Sequence, residues 1–169
     1  EEWRERSSSF KSNSTAIGKM ELGIPYGDHP REKYDLFLPK KQSRGTIIFL
    51  HGGFWFRTGR EHWSFTAQGM LFQNWSVIIP SYPQAPDVKI TQITHSISKL
   101  IYKILDDCNG SVRMIGHSAG GHLASRMICK NFLKKNIGKH MDKVISVSGL
   151  YDLRPLLMTK LNDILTLNY

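Results

Sequence analysis

The sequence predicts an α/β fold: a mainly parallel sheet with helices on both faces. Three observations predict it. Short, continuous apolar runs recur at Thr46–Leu50, Ser76–Pro80, 111–115 and 144–147, the pattern of strands buried on both sides of a parallel sheet. Helical patterns alternate with them, most clearly where Ile90, Ile93, Ile97, Leu100, Ile101, Ile104 and Leu105 recur at three- and four-residue steps. Glycine-rich turns follow two of the runs directly, at His51-Gly52-Gly53 and at Gly116-His117-Ser118-Ala119-Gly120.

Taken in order, residues 1–19 are polar and read as a mobile lead or a partial helix, with the folded domain at 20–169. Gly27-Asp28-His29-Pro30 is turn chemistry. A short strand is expected at 34–38, ended by Pro39, then a polar loop over 40–45 and the strand Thr46–Leu50. Residues 61–74 read as a helix, Ser76–Pro80 as a strand and 81–86 as a loop. The amphipathic helix beginning at Ile90 ends at Asn109-Gly110. A strand at 111–115, a helix over 118–133, a strand at 144–147 and one or two short helices within 152–169 complete the reading. The sheet edge beside Val144 is expected to be open, so the domain is expected to be truncated after the strand that follows the serine-bearing turn.

With 169 residues, 40% of them apolar and 11% aromatic, the chain fits one domain with a real core. Its 23 Lys and Arg against 14 Asp and Glu give a net charge of +9. The basic residues are dispersed. Their densest group, Lys130, Lys134, Lys135, Lys139 and Lys143, falls on a predicted helix end and loop, so a solvated face is favoured over a nucleic-acid or membrane surface. Cys108 and Cys129 make no C-x-x-C or zinc spacing and are expected to be reduced or buried thiols. No run approaches the ~20 apolar residues that span a bilayer. The first 14 residues lack a signal-peptide core, and a cytoplasmic location is expected. A homodimer is left open.

Gly116-His117-Ser118-Ala119-Gly120 is a G-x-S-x-G turn between a predicted strand and a predicted helix, the context of a nucleophile elbow. The strand must turn into the helix within about one residue, and glycines two before and two after the serine remove the Cβ atoms that would collide. Ser118 is the expected nucleophile, with the Ala119 amide free at the helix start to bind an oxyanion. The bland alternative is a glycine-rich turn with an unreactive serine. His51-Gly52-Gly53-Phe54-Trp55 follows the strand Thr46–Leu50, and the amides of Gly53 and Phe54 are the expected partners of Ala119 in the oxyanion hole. His51, Gly52 and Trp55 are expected to hold the loop's shape, His51 by hydrogen bonding within it and Trp55 by packing beneath it or lining the pocket. Together the two motifs point to an α/β-hydrolase attacking a carbonyl group.

In that fold the triad order is Ser, then Asp or Glu, then His, and no His follows His140. The base is therefore expected outside this sequence, and the 169 residues alone are expected to be inactive. His29, His62, His95 and His140 all precede the position required; His117 lies inside the elbow, and His122 reads as a packing or capping residue. Asp152 reads as a helix N-cap rather than a triad acid, and Asp163 has no special context. No metal-ligand spacing occurs, and the chemistry needs no cofactor.

The chain resembles the kynurenine formamidase (arylformamidase) branch of the α/β-hydrolases and the esterase/lipase group around it. Four segments carry the likeness: Tyr26-Gly27-Asp28 with Tyr34-Asp35-Leu36-Phe37-Leu38-Pro39, the H-G-G-x-W loop His51 to Trp55, Gly116-His117-Ser118-Ala119-Gly120-Gly121-His122-Leu123, and Ser148-Gly149-Leu150-Tyr151-Asp152-Leu153. The resemblance implies that Ser118 is the nucleophile, the His51 to Trp55 loop the oxyanion hole and Asp152 structural. It implies hydrolysis of a formamide or ester bond on a small aromatic substrate such as N-formylkynurenine. Phe54, Trp55, Trp63 and Tyr82 are candidates for an aromatic pocket, although aromatics after strands are more often core. A general carboxylesterase or lipase-like enzyme is the close alternative, and a non-catalytic hydrolase-fold binding protein lacking its base is a third.

Overall fold

A computed structural model describes residues 1–107, 110–129 and 141–168. Cys108, Asn109, the end of the helix expected over 118–133, Lys130, Lys134, Lys135, Lys139 and His140 lie outside the described residues. The elements in chain order are α1 (Glu2–Asn13), β1 (Ile17–Pro25), β2 (Lys33–Pro39), β3 (Thr46–Leu50), α2 (Arg60–Trp63), a 3₁₀ turn (Ser64–Thr66), α3 (Ala67–Phe72), β4 (Ser76–Pro80), α4 (Ile90–Asp107), β5 (Val112–His117), α5 (Ala119–Met127), β6 (Met141–Val147), a 3₁₀ turn (Arg154–Met158) and α6 (Asn162–Leu165). The strands form one sheet in the order β1-β2-β4-β3-β5-β6. β3, β4, β5 and β6 run parallel, and the β1-β2 hairpin joins antiparallel through β2 to β4.

The apolar runs are buried on both faces because two cores sandwich the sheet. Ile48, Leu50 and Ile78 face one core with Ile93, Ile97, Leu100 and Ile101 of α4 and Leu123 and Met127 of α5. Phe49, Val77 and Ile79 face the other, with Phe10 of α1, Trp63 of α2 and Leu71 of α3. No described helix is long and apolar enough to cross a membrane.

The partial helix offered for the polar lead over 1–19 is α1, and it is docked: Trp3 meets Trp63 edge-on at 4.6 Å, and Phe10 meets Phe37 at 5.5 Å. Two expectations need correction. The lead also holds the start of β1, a strand the pattern concealed. β1 is an edge strand whose central residues are exposed, so no apolar alternation marks it, and its register with β2 slips on both sides of residues 19–21. The single helix expected over 61–74 is interrupted. Ser64 Oγ donates to Arg60 O at 3.1 Å and Thr66 Oγ1 to Trp63 O at 2.7 Å, local bonds that compete with the helical ladder where the chain tightens into a 3₁₀ turn. Cys129 is a free thiol, one of the two forms expected, and it is exposed.

Candidate active site

β5 delivers the chain to Ser118, and α5 begins at the next residue. Ser118 has φ 53° and ψ −118°, outside the left-handed helical well and sparsely populated for a residue with a Cβ. Its N–H donates to Val147 O at 2.9 Å, which pins the turn to the end of β6. A methyl group on Gly116 would lie 2.1 Å from Gly120 O, and one on Gly120 would lie 2.0 Å from Leu50 O, so the turn closes only around bare Cα atoms. The strain predicts that Ser118→Gly raises stability by about 1 kcal/mol net of glycine's extra unfolded-state freedom, whereas Ser118→Ala does not. Paired thermal melts check this; equal melting temperatures for the two variants would remove the strain argument.

The register of β3 with β5, Leu50 opposite Gly116, sets the His51 to Trp55 loop beside the elbow at the carboxyl ends of the strands. A methyl on Gly52 would fall 3.2 Å from Ser118 Cβ and 3.0 Å from His117 Nδ1. Gly53, Phe54 and Trp55 take φ values of 114°, 52° and 63°, a run of left-handed residues that curls the loop. Gly53 O accepts the N–H groups of Phe56 and Arg57 at 3.1 and 2.8 Å. Among the described residues neither the Gly53 nor the Phe54 amide donates to a backbone carbonyl, and the Ala119 amide heads a helix, where no intrahelical acceptor exists.

Phe54, 38% exposed, is the aromatic that reaches the surface beside this loop. Trp55 and Tyr82 are fully buried and Trp63 nearly so, which makes these three core residues and leaves Phe54 as the pocket candidate. Trp55 packs beneath the loop, edge-on to His122 at 5.4 Å. His122 is the packing residue expected: its Nδ1 lies 2.7 Å from Leu150 O, and burial holds its pKa below the ordinary histidine value.

His51 is fully buried, and desolvation pushes its pKa down to about 4. Its neutral ring places Nδ1 2.7 Å from Gly52 O and stacks on Tyr82 at 4.4 Å. Tyr82 Oη donates to His51 O at 2.9 Å, and burial drives the phenol pKa far up, so the hydroxyl stays a donor. Tyr82→Phe leaves this buried carbonyl without that donor and is expected to cost about 1–2 kcal/mol, read as a lower urea midpoint. Arg31 steadies the neighbourhood from the β1-β2 turn, donating to Tyr82 O at 3.0 Å and to Thr58 O at 2.8 Å. None of Arg31, Thr58 or the Tyr82 contact was signalled by a motif. Tyr82 was visible only as an aromatic after a strand.

The candidate acids and bases are placed elsewhere. Asp152 is not the N-cap expected, because the 3₁₀ turn is capped at Leu153; it accepts the Arg154 N–H at 3.0 Å two residues on, and its carboxylate is held by the Arg154 guanidinium, which lowers its pKa to about 2. Asp163 sits exposed in α6. His29 Nδ1 accepts the Arg31 N–H, His62 Nδ1 accepts the Gly59 N–H, and His95 lies on the exposed side of α4. Among the described residues no side chain hydrogen-bonds Ser118 Oγ.

This geometry has counterparts in known proteins. The BD-FAE family pattern matches residues 34–164. Kynurenine formamidase of Salmo salar is 31% identical over 148 residues, covering 84% of this chain and 50% of that protein. Kynurenine formamidase of Danio rerio is 28% identical over 161 residues, covering 92% of this chain and 54% of that protein. The crystal structure of a candidate thioesterase from Silicibacter sp. TM1040 superposes with a TM-score of 0.92 at 35% identity, over 99% of this chain and 63% of that one. The chain spans about half the length of the curated relatives it matches. Sheet order, turn geometry and family match agree: the chain belongs to the BD-FAE family and is an α/β-hydrolase of the formamidase/esterase group.

Proposed function

We propose that this chain carries the nucleophile and the oxyanion hole of a serine hydrolase acting on a formamide or carboxylic ester of a small aromatic substrate, N-formylkynurenine being the leading case. Ser118 Oγ attacks the formyl or acyl carbon. The amides of Gly53, Phe54 and Ala119 receive the developing oxyanion; the intermediate collapses with cleavage of the C–N or C–O bond, the amine or alcohol leaves carrying the proton taken from Ser118, and water later releases the acyl group from Ser118 as the acid. A histidine acting as general base takes the Ser118 proton. One observation carries the reading: the Gly52 Cα packs against Ser118 so closely that a methyl would sit 3.2 Å from its Cβ, which sets the glycine loop against the serine at the head of α5. The partly exposed Phe54 supports an aromatic substrate, and the formamidase relatives support the formyl group.

The test compares full-length wild-type protein with Ser118→Ala on N-formylkynurenine and on p-nitrophenyl acetate, with fluorophosphonate labelling alongside. Wild type is expected to label at Ser118 and to prefer the formamide, and Ser118→Ala to lose about 10⁴-fold or more in kcat. Faster turnover of the ester would favour a carboxylesterase, a reading to which the similarity to the candidate thioesterase lends weight. A wild-type protein that neither labels nor turns over either substrate would instead be a binding protein on a hydrolase fold.

A further inference from the structure

Thr58 is a β-branched residue at φ 62°, a conformation such side chains rarely adopt. Strain of this kind persists only where the surroundings impose it, and here they do so from both ends of the residue. The Thr58 carbonyl accepts Arg31 Nη2 at 2.8 Å and Gln84 Nε2 at 2.9 Å. Its hydroxyl accepts Trp63 Nε1 at 3.1 Å and donates to Gly52 O at 2.9 Å. Trp63 is itself fixed, with Trp3 at 4.6 Å, Phe49 at 5.8 Å and His117 of the elbow at 5.4 Å.

What the hydroxyl holds is half of a peptide unit. The Gly52 carbonyl and the Gly53 N–H belong to one planar trans amide and point in opposite directions. Thr58 Oγ1 and His51 Nδ1 both converge on the carbonyl, at 2.9 and 2.7 Å. Flanked by two glycines, that peptide would otherwise rotate readily. Holding its oxygen on the Thr58 side aims its N–H the other way. We infer that Thr58, seated by Trp63, is a positioning residue that orients the Gly53 amide as an oxyanion donor. The inference rests on the oxyanion role proposed above for Gly53.

The test uses the full-length protein with Thr58→Val, which keeps the shape and the branched Cβ but loses the hydroxyl, and Thr58→Ser, which keeps the hydroxyl. Thr58→Val is expected to lower kcat about 10²-fold with KM within about threefold, as for a donor needed only in the transition state. Thr58→Ser is expected to retain kcat within about threefold. Trp63→Phe, which removes the indole donor but keeps an aromatic ring, is expected to fall between them. The Gly53 amide resonance gives a readout independent of turnover: it should move in Thr58→Val and stay in Thr58→Ser. An unchanged kcat and Gly53 resonance in Thr58→Val would overturn the inference, as would equal losses in the Val and Ser variants. A wild type without hydrolase activity would defeat the proposed function, and the Gly53 resonance would still decide whether the Thr58 hydroxyl sets that peptide.

Discussion

Gly120→Ala is expected to prevent the chain from reaching its native fold. The added methyl would lie 2.0 Å from Leu50 O, 2.5 Å from Leu50 C and 2.6 Å from His51 O, all of them backbone atoms. No rotamer change relieves such contacts. α5 would have to lift away from β3, opening the core that holds Leu123 and Leu50 and parting the two candidate loops. The cost is expected to exceed about 4 kcal/mol, in the range that unfolds a marginally stable domain. Gly69 is the control: it lies in α3, a methyl there meets nothing within 4 Å, and Gly69→Ala should gain about 0.5–1 kcal/mol from helix propensity. Soluble yield and urea midpoints separate the two, and a native melt for Gly120→Ala would contradict the packing described at the elbow.

Acid is expected to weaken the protein through its buried histidines before its carboxylates titrate. His51 has an ordinary value of 6.5 and a folded value of about 4. Between those values the unfolded chain binds a proton that the folded chain refuses. Stability is therefore full above pH 6.5 and falls as the pH drops toward 4, by about 3 kcal/mol in total. His122, also lowered by burial, adds a loss of the same sign. Glu32, Glu61 and Asp152, whose folded values lie below their ordinary ones, contribute only as the pH falls through the carboxylate range. Urea unfolding at pH 7.0 and pH 5.0 isolates the histidines. His51→Gln should reduce the slope by up to about 1.4 kcal/mol per pH unit. A slope unchanged by that substitution would show that His51 is not held neutral by burial.

What the sequence disclosed followed from strong periodicities and fixed turn chemistry. β3 and β4 were legible because both of their faces are buried, α4 because its apolar stripe keeps helical spacing, and the elbow because two glycines flank one serine between a strand and a helix. β1 was not legible, since an exposed edge strand shows no alternation. The break in 61–74 was hidden because Ser64 and Thr66 redirect the backbone through side-chain bonds that periodicity cannot see. The loop motif marked His51, Gly52 and Gly53, but Thr58 carries no motif: its importance comes from a strained backbone and hydrogen bonds to Arg31, Gln84, Trp63 and Gly52. Trp55, Trp63 and Tyr82 were visible as aromatics, and only packing shows that they support the site from inside.

The pairing of Leu50 with Gly116 also bears on the order of assembly. Between those residues the chain must complete β4, the whole of α4 and their connections before the two loops can meet, a non-local contact whose closure entropy is spent before it is rewarded. The first loop has local bonds of its own, at Gly52 O and Gly53 O, but it meets Ser118 only when β3 and β5 pair. The reactive geometry is therefore expected to arrive with the closing of the sheet rather than with either loop by itself.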